Sequence, residues 1–114
     1  MLIMAREEEK TLAADPDVLK AVEQLPDWEI AGRELTKGFY LKGFNDAIGF
    51  INDVAGIANE IQHHPDILLS EFSTVRLFVK TNEFGKVTMR DVDFAKRVEG
   101  LWETKWRKRE KKVW

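Results

Sequence analysis

Apolar side chains recur along this chain with two different periods, and the switches between them outline a fold. Val18, Leu19, Val22 and Leu25 fall at helical steps after Asp15-Pro16, a pair suited to an N-cap and a first turn, and Pro26 closes the segment. Trp28 and Ile30 then alternate with polar residues up to Gly32-Arg33, and Leu35, Phe39 and Leu41 resume the alternation, which predicts a hairpin over 28–41. Ala47, Ile48, Ile51, Val54, Ala55, Ala58 and Ile61 return to steps of three and four, so a helix capped by Asn45 is expected to run to about Gln62, with Pro65 as its stop. The runs ILLSEF and VRLFVKT, with Ser73-Thr74 between them, predict a second hairpin whose latter strand is rich in β-favouring residues. Asn82 to Lys86, containing Gly85, reads as a turn. Thr88 and Asp91 stand at capping-box spacing, with Asp in place of the usual Glu or Gln, and Val92, Ala95, Val98, Leu101 and Trp102 carry a last helical stripe.

The order helix-strand-strand-helix-strand-strand-helix implies an α+β fold. Hairpins pair antiparallel and amphipathic helices must bury their stripes, so the expected architecture is two-layered, a four-stranded antiparallel sheet with helices on one face. The chain divides into a flexible lead-in over 1–14, a domain over 15–106, and a basic helical extension over 107–114. In that extension Trp102, Trp106 and Val113 would continue one apolar stripe while Lys105, Lys108, Arg109 and Lys112 spread over the rest, offering a contact for an anionic partner.

Composition narrows the chemistry. A chain of 114 residues, 44% hydrophobic and 33% charged, fits one soluble domain with one core. It contains no cysteine, which excludes disulfides, thiolate metal sites and a cysteine nucleophile. No signal peptide or membrane-length apolar run is recognisable, so a cytoplasmic location is expected. The net charge of −2 conceals an asymmetry, with +5 from Lys96 onward and −7 before it. No motif for reading RNA or DNA accompanies the basic end, and nucleic acid is not expected as a partner.

The only two histidines are adjacent, in EIQHHPDI. Imidazole both gives and takes a proton near neutrality, and His63 and His64 would sit just past a helix C-terminus, where the macrodipole favours a cation. Basic residues at helix ends also serve simply to satisfy the last carbonyls, so spacing alone leaves catalysis and capping both open. Neighbouring histidines without HxH or HxxxH spacing give no metal motif, and none is expected.

Trp28, Gly32-Arg33, Phe39 two before Leu41, FNDAIGF (44–50), Val54-Ala55, HHPD (63–66), Phe72, TNEFGKVTMRD (81–91) and Ala95 together resemble the pterin-4a-carbinolamine dehydratases, over about Leu19 to Leu101. The resemblance implies the α+β order just derived. It also implies dehydration of 4a-hydroxytetrahydropterin to quinonoid dihydropterin and water, with the pterin as substrate and without cofactor or metal. His63 and His64 would be the catalytic pair, with Pro65, Thr81, Asn82 and Asn59 lining the substrate site. The family has a third histidine where this chain has Asn82, a glutamate where it has Asn59 with Glu60 one place on, and often an aromatic residue where it has Ile67. Family members form homodimers and homotetramers, and some relatives act as dimerisation cofactors of a transcription factor or help to assemble Rubisco. Two functions are therefore expected to compete: a divergent dehydratase, and a non-catalytic binding protein on the same scaffold.

Overall fold

The computed structural model describes residues 13–112. Helix α1 (Pro16–Glu23) is followed by strands β1 (Glu29–Ala31) and β2 (Glu34–Tyr40) and helix α2 (Phe44–Ile61). Strands β3 (Asp66–Ser70) and β4 (Thr74–Val79) and helix α3 (Met89–Leu101) complete the order. The strands form one antiparallel sheet in the order β1-β2-β4-β3, so the two hairpins meet through β2 and β4. The register Leu35↔Val79, Lys37↔Leu77 and Phe39↔Val75 turns these side chains to one face, where the helices cover them. The α+β, two-layer arrangement expected from the hydrophobic pattern is the one observed.

The core lies between that face and the stripes of α2 and α3. Phe50 and Val54 of α2 and Val92, Phe94 and Val98 of α3 are fully buried. Phe39 lies 4.9 Å from Phe50 and 5.0 Å from Trp102, centroid to centroid, with the rings tilted as aromatic pairs prefer. After α3 the helix widens into a π turn over Trp102–Trp106, which puts both tryptophans against the core. Gly49 makes room for the second of them, since a Cβ there would stand 2.7 Å from the Trp106 ring.

Several local expectations are corrected. The cap of α2 is Gly43, not Asn45, which falls inside the first turn. What ends α2 is Gln62, at φ 53°, three residues before Pro65. The second hairpin turns over Glu71, Phe72 and Ser73 rather than Ser73-Thr74. Glu71 and Phe72 both take positive φ, so Phe72 sits exposed at the tip instead of in a strand. Ala13 and Ala14 are buried, and the Ala13 carbonyl accepts from the Val87 N–H, so a flexible lead-in to residue 14 is too long by at least two residues. The remainder of the lead-in, and Val113 of the expected tail stripe, lie outside the described residues. The basic tail is helical only to Arg109, in a short 3-10 turn. It then runs extended beside β2, with the Lys111 N–H donating to the Tyr40 carbonyl.

Candidate active site

The left-handed Gln62 swings the chain back under α2, where the His63 N–H closes onto the Ala58 carbonyl at 3.1 Å. This turn drives the His63 ring inward, to 8% exposure, and leaves His64 on the surface. Opposite His63 is the first turn of α3. Thr88 caps that helix and Asp91, three residues on, folds its carboxylate back, Oδ2 accepting from the Thr88 N–H at 2.8 Å. The same oxygen accepts from the Thr81 hydroxyl at 2.9 Å, and Thr81 and Thr88 share a 2.6 Å hydrogen bond. The other oxygen, Oδ1, lies 2.5 Å from His63 Nε2.

Asp91 is fully buried, and a buried carboxylate must have its oxygens occupied. Two donors already hold Oδ2, so Oδ1 takes the proton of His63 Nε2. That fixes the ring orientation and, in the neutral ring, leaves Nδ1 with the lone pair. An imidazole held by a buried carboxylate is the arrangement of a general base, because the carboxylate fixes the tautomer and offsets the charge gained with a proton.

The other candidates divide around this core. Thr81 joins His63 on Asp91. His64 forms a separate pair, its Nε2–H donating to Asn59 Oδ1 at 2.9 Å, with half-buried Pro65 behind it. Glu60 points away to Arg97, as its place on the helix requires. Asn82 is exposed beside Thr81, and among the described residues its side chain bonds to neither histidine. Its neighbour Glu83 is held below the ordinary glutamate pKa range, first by its own backbone N–H and then by Arg90.

His63 opens onto a cleft of about 520 Å³ whose other walls are Ile61 and the α3 residues Arg90, Asp93, Lys96 and Arg97. Sequence reasoning assigned Asp91 only a capping role and passed over the α3 wall. The one available signal for Asp91 was its identity: a short aspartate where a capping box usually has a longer acid, just far enough from the helix to reach a second partner. Among the described residues no group of three or more metal-ligating side chains is assembled.

The sequence pattern of the pterin 4 alpha carbinolamine dehydratase family matches residues 11–101. A putative pterin-4-alpha-carbinolamine dehydratase of Thermomicrobium roseum is 35% identical over 98 residues, spanning 86% of this chain and 98% of the relative. One from Rhodopseudomonas palustris is 38% identical over 89 residues, spanning 76% and 87%. The crystal structure of a transcriptional coactivator/pterin dehydratase from Brucella melitensis superposes with a TM-score of 0.70 at 26% identity, covering 76% of this chain and 94% of that one. A pterin dehydratase-like protein described as a RuBisCO assembly factor in the α-carboxysome shares the fold, with a TM-score of 0.53 at 20% identity over 65% of this chain and 84% of its own.

Proposed function

This chain belongs to the pterin 4 alpha carbinolamine dehydratase family, and from that premise we propose that it dehydrates 4a-hydroxytetrahydropterin by histidine acid-base catalysis. The observation that carries the reading is the buried contact of His63 with Asp91. In the reaction the ring N–H beside the carbinolamine carbon gives up its proton and the C–O bond breaks. A C=N bond forms, and the departing hydroxyl collects a proton to leave as water. One proton goes out and one comes in, so the site needs a base and an acid and no redox partner.

His63 Nδ1 is the base, because its other nitrogen is committed to Asp91. His64, exposed and steadied by Asn59, is the acid in its protonated form and returns to that form from solvent. Thr81 holds Asp91, and Pro65 and Asn82 border the pterin. The product is the quinonoid dihydropterin, the form that pterin recycling would reduce.

The test is turnover of chemically generated 4a-hydroxytetrahydropterin by the purified protein beside His63→Ala/His64→Ala. Turnover lost in the double variant supports the assignment, whereas equal rates in the two proteins would sink it. A second reading is favoured by one observation, the exposed amide of Asn82 where the family pattern has an imidazole. An amide hydrogen-bonds but shuttles no proton at neutral pH. On this reading the scaffold binds without catalysing, as an assembly or dimerisation factor, and the parent shows pterin binding with no turnover.

Self-association belongs to either reading. Strand β3 is a sheet edge with Leu68 51% and Ile67 37% exposed, a surface that invites pairing with a second copy. Sedimentation of the parent as a monomer at micromolar concentration would remove that part.

A further inference from the structure

The cleft beside His63 contains one acid that the proton transfers leave unused. Three carboxylates are attached to the side chains that line it, and all three are committed. Asp91 is fully buried and accepts from Thr88, Thr81 and His63. Glu83 accepts from Arg90 Nη1 at 3.1 Å, and Glu60 pairs with Arg97. Asp93 differs from these, because it lines the cleft itself from an exposed position on α3. Among the described residues its carboxylate accepts from no side chain and pairs with no cation.

Partners stand close by along the helix. Arg90 is three positions before Asp93, and Lys96 and Arg97 are three and four after it, the spacings that share a helix face and usually close an ion pair. Both arginines turn instead to acids outside α3, Glu83 in the turn after β4 and Glu60 on α2. The cleft therefore offers an imidazole and a guanidinium at the first turn of α3 and an uncommitted carboxylate just after them.

The substrate class proposed above carries a matching edge. Beyond the reacting N5–H, a pterin presents in order a 4-carbonyl, an N3–H and a 2-amino group, which is one acceptor followed by two parallel donors. A carboxylate has two oxygens spaced to take two parallel N–H donors, and a guanidinium has donors only, suited to a carbonyl. Cations and an acid both line this cleft, so the order of donors and acceptors does the selecting, and net charge does not.

Building on that reading of the cleft, we infer that Asp93 recognises the pyrimidine edge of the pterin, its two oxygens accepting from the N3–H and the 2-amino group. Arg90 then donates to the 4-carbonyl, and the N5 side of the ring is brought to His63 Nδ1. Asp93 is a specificity-determining residue and takes no part in moving protons. An amide cannot replace it, because one end of an amide donates where the substrate also donates. A ligand lacking either donor leaves a carboxylate oxygen facing a methyl group or another acceptor, and a site built for a hydrogen bond rejects such analogues strongly.

The test is calorimetric binding of four probes to the full chain: pterin, N3-methylpterin, lumazine with an oxygen in place of the 2-amino group, and guanosine, which offers the same edge on a purine. The parent should bind pterin about tenfold more tightly than N3-methylpterin or lumazine. Asp93→Asn should lose that preference and raise KM for 4a-hydroxytetrahydropterin by about tenfold, the loss falling on KM and not on kcat. A parent that treats pterin, N3-methylpterin and lumazine alike would overturn the proposal. So would an Asp93→Asn variant that keeps the preference, or guanosine binding more tightly than pterin. The two readings fail separately. Pterin bound with this preference but never turned over sinks the catalysis and leaves the recognition, whereas turnover that needs His63 and ignores Asp93 does the reverse.

Discussion

Helix α3 carries a carboxylate near each end, Asp91 fully buried and Glu99 partly buried, and the two hold different partners. At its start Asp91 accepts from Thr88, Thr81 and His63. Near its end Glu99 accepts from the Lys37 ammonium at 2.8 Å and from Trp28 Nε1 at 2.7 Å, while Lys37 also donates to the Pro26 carbonyl and lies over the Phe39 ring. Both clusters satisfy their buried oxygens. The difference lies in the partner: lysine is donors only, so the Glu99 cluster is a closed ion pair that ties β1 and β2 to the helix. Imidazole has a second nitrogen left over once it has served the carboxylate. A buried acid becomes chemistry when its partner can still exchange a proton and opens on a cleft, and remains architecture otherwise.

The sharpest way to break this comparison is to remove each acid in turn. Asp91→Ala is expected to have the largest effect, because it strips a cap and leaves His63, Thr81 and the Thr88 N–H without their acceptor. Stability should fall by about 3 kcal/mol or more, and turnover per folded molecule by roughly 100-fold. Denaturant unfolding together with single-turnover kinetics separates the two losses. If turnover drops only in step with the folded fraction, Asp91 is as architectural as Glu99.

Glu99→Ala is the matched control. It strands the Lys37 ammonium, whose side chain is only 10% exposed, and a broken buried pair costs about 3 kcal/mol. Because neither residue touches the His63 cleft, kcat and KM of the folded protein should stay at the parent values. A tenfold loss of kcat at a temperature where the variant is fully folded would show that the two ends of α3 are coupled.

A smaller effect is expected at the rim. Asn82→His restores an imidazole beside Thr81 and, as an added proton carrier, should raise kcat by about tenfold, most visibly between pH 6 and 7 where imidazole exchanges protons. An unchanged pH-rate profile would mean that His63 and His64 already carry both proton transfers, one out and one in, without help.

The contrast between the ends of α3 also explains what could be read before the structure. The element order, the single sheet and the buried faces follow from the period of the apolar residues, which sidedness alone determines. The first hairpin was legible because Gly32 takes φ 63° at the first position of a two-residue turn. The second was misplaced because Glu71 and Phe72 adopt positive φ without the residue type that announces it. His63 and His64 stood out by rarity, yet nothing local says that one faces inward and the other outward. Gln62 decides that, again by a left-handed turn at a residue that need not be glycine. Asp91 remained hidden because its partner is 28 positions away and its local capping role was already a sufficient explanation. The Glu99 cluster was invisible for the same reason, its partners being 62 and 71 residues distant.

A third carboxylate tests the rule between these extremes and carries the smallest effect. Asp53, 30% exposed, accepts from Lys105 Nζ at 2.9 Å and from Trp106 Nε1 at 2.9 Å, anchoring the π turn to α2. The hydrogen bond from Lys105 holds its carboxyl below the ordinary aspartate range, partial burial opposes this, and the Trp106 bond adds to the lowering. A carboxyl whose folded pKa is depressed contributes stability that is present above the unfolded value, about 3.9, and is lost as pH falls through the folded one. Below pH 4 the C-terminal turn should therefore loosen before the sheet does, seen as a red shift and quenching of tryptophan fluorescence while the far-ultraviolet circular dichroism holds. Asp53→Asn should be slightly less stable than the parent at pH 7 and match it near pH 2, because the amide still accepts from Trp106 but has no charge to lose. A stability difference that stays constant from pH 7 to pH 2 would show that the anchor is the shape of the group rather than its charge. Asp53 would then stand with the packing of Trp106 against Gly49, and not with the acids of α3.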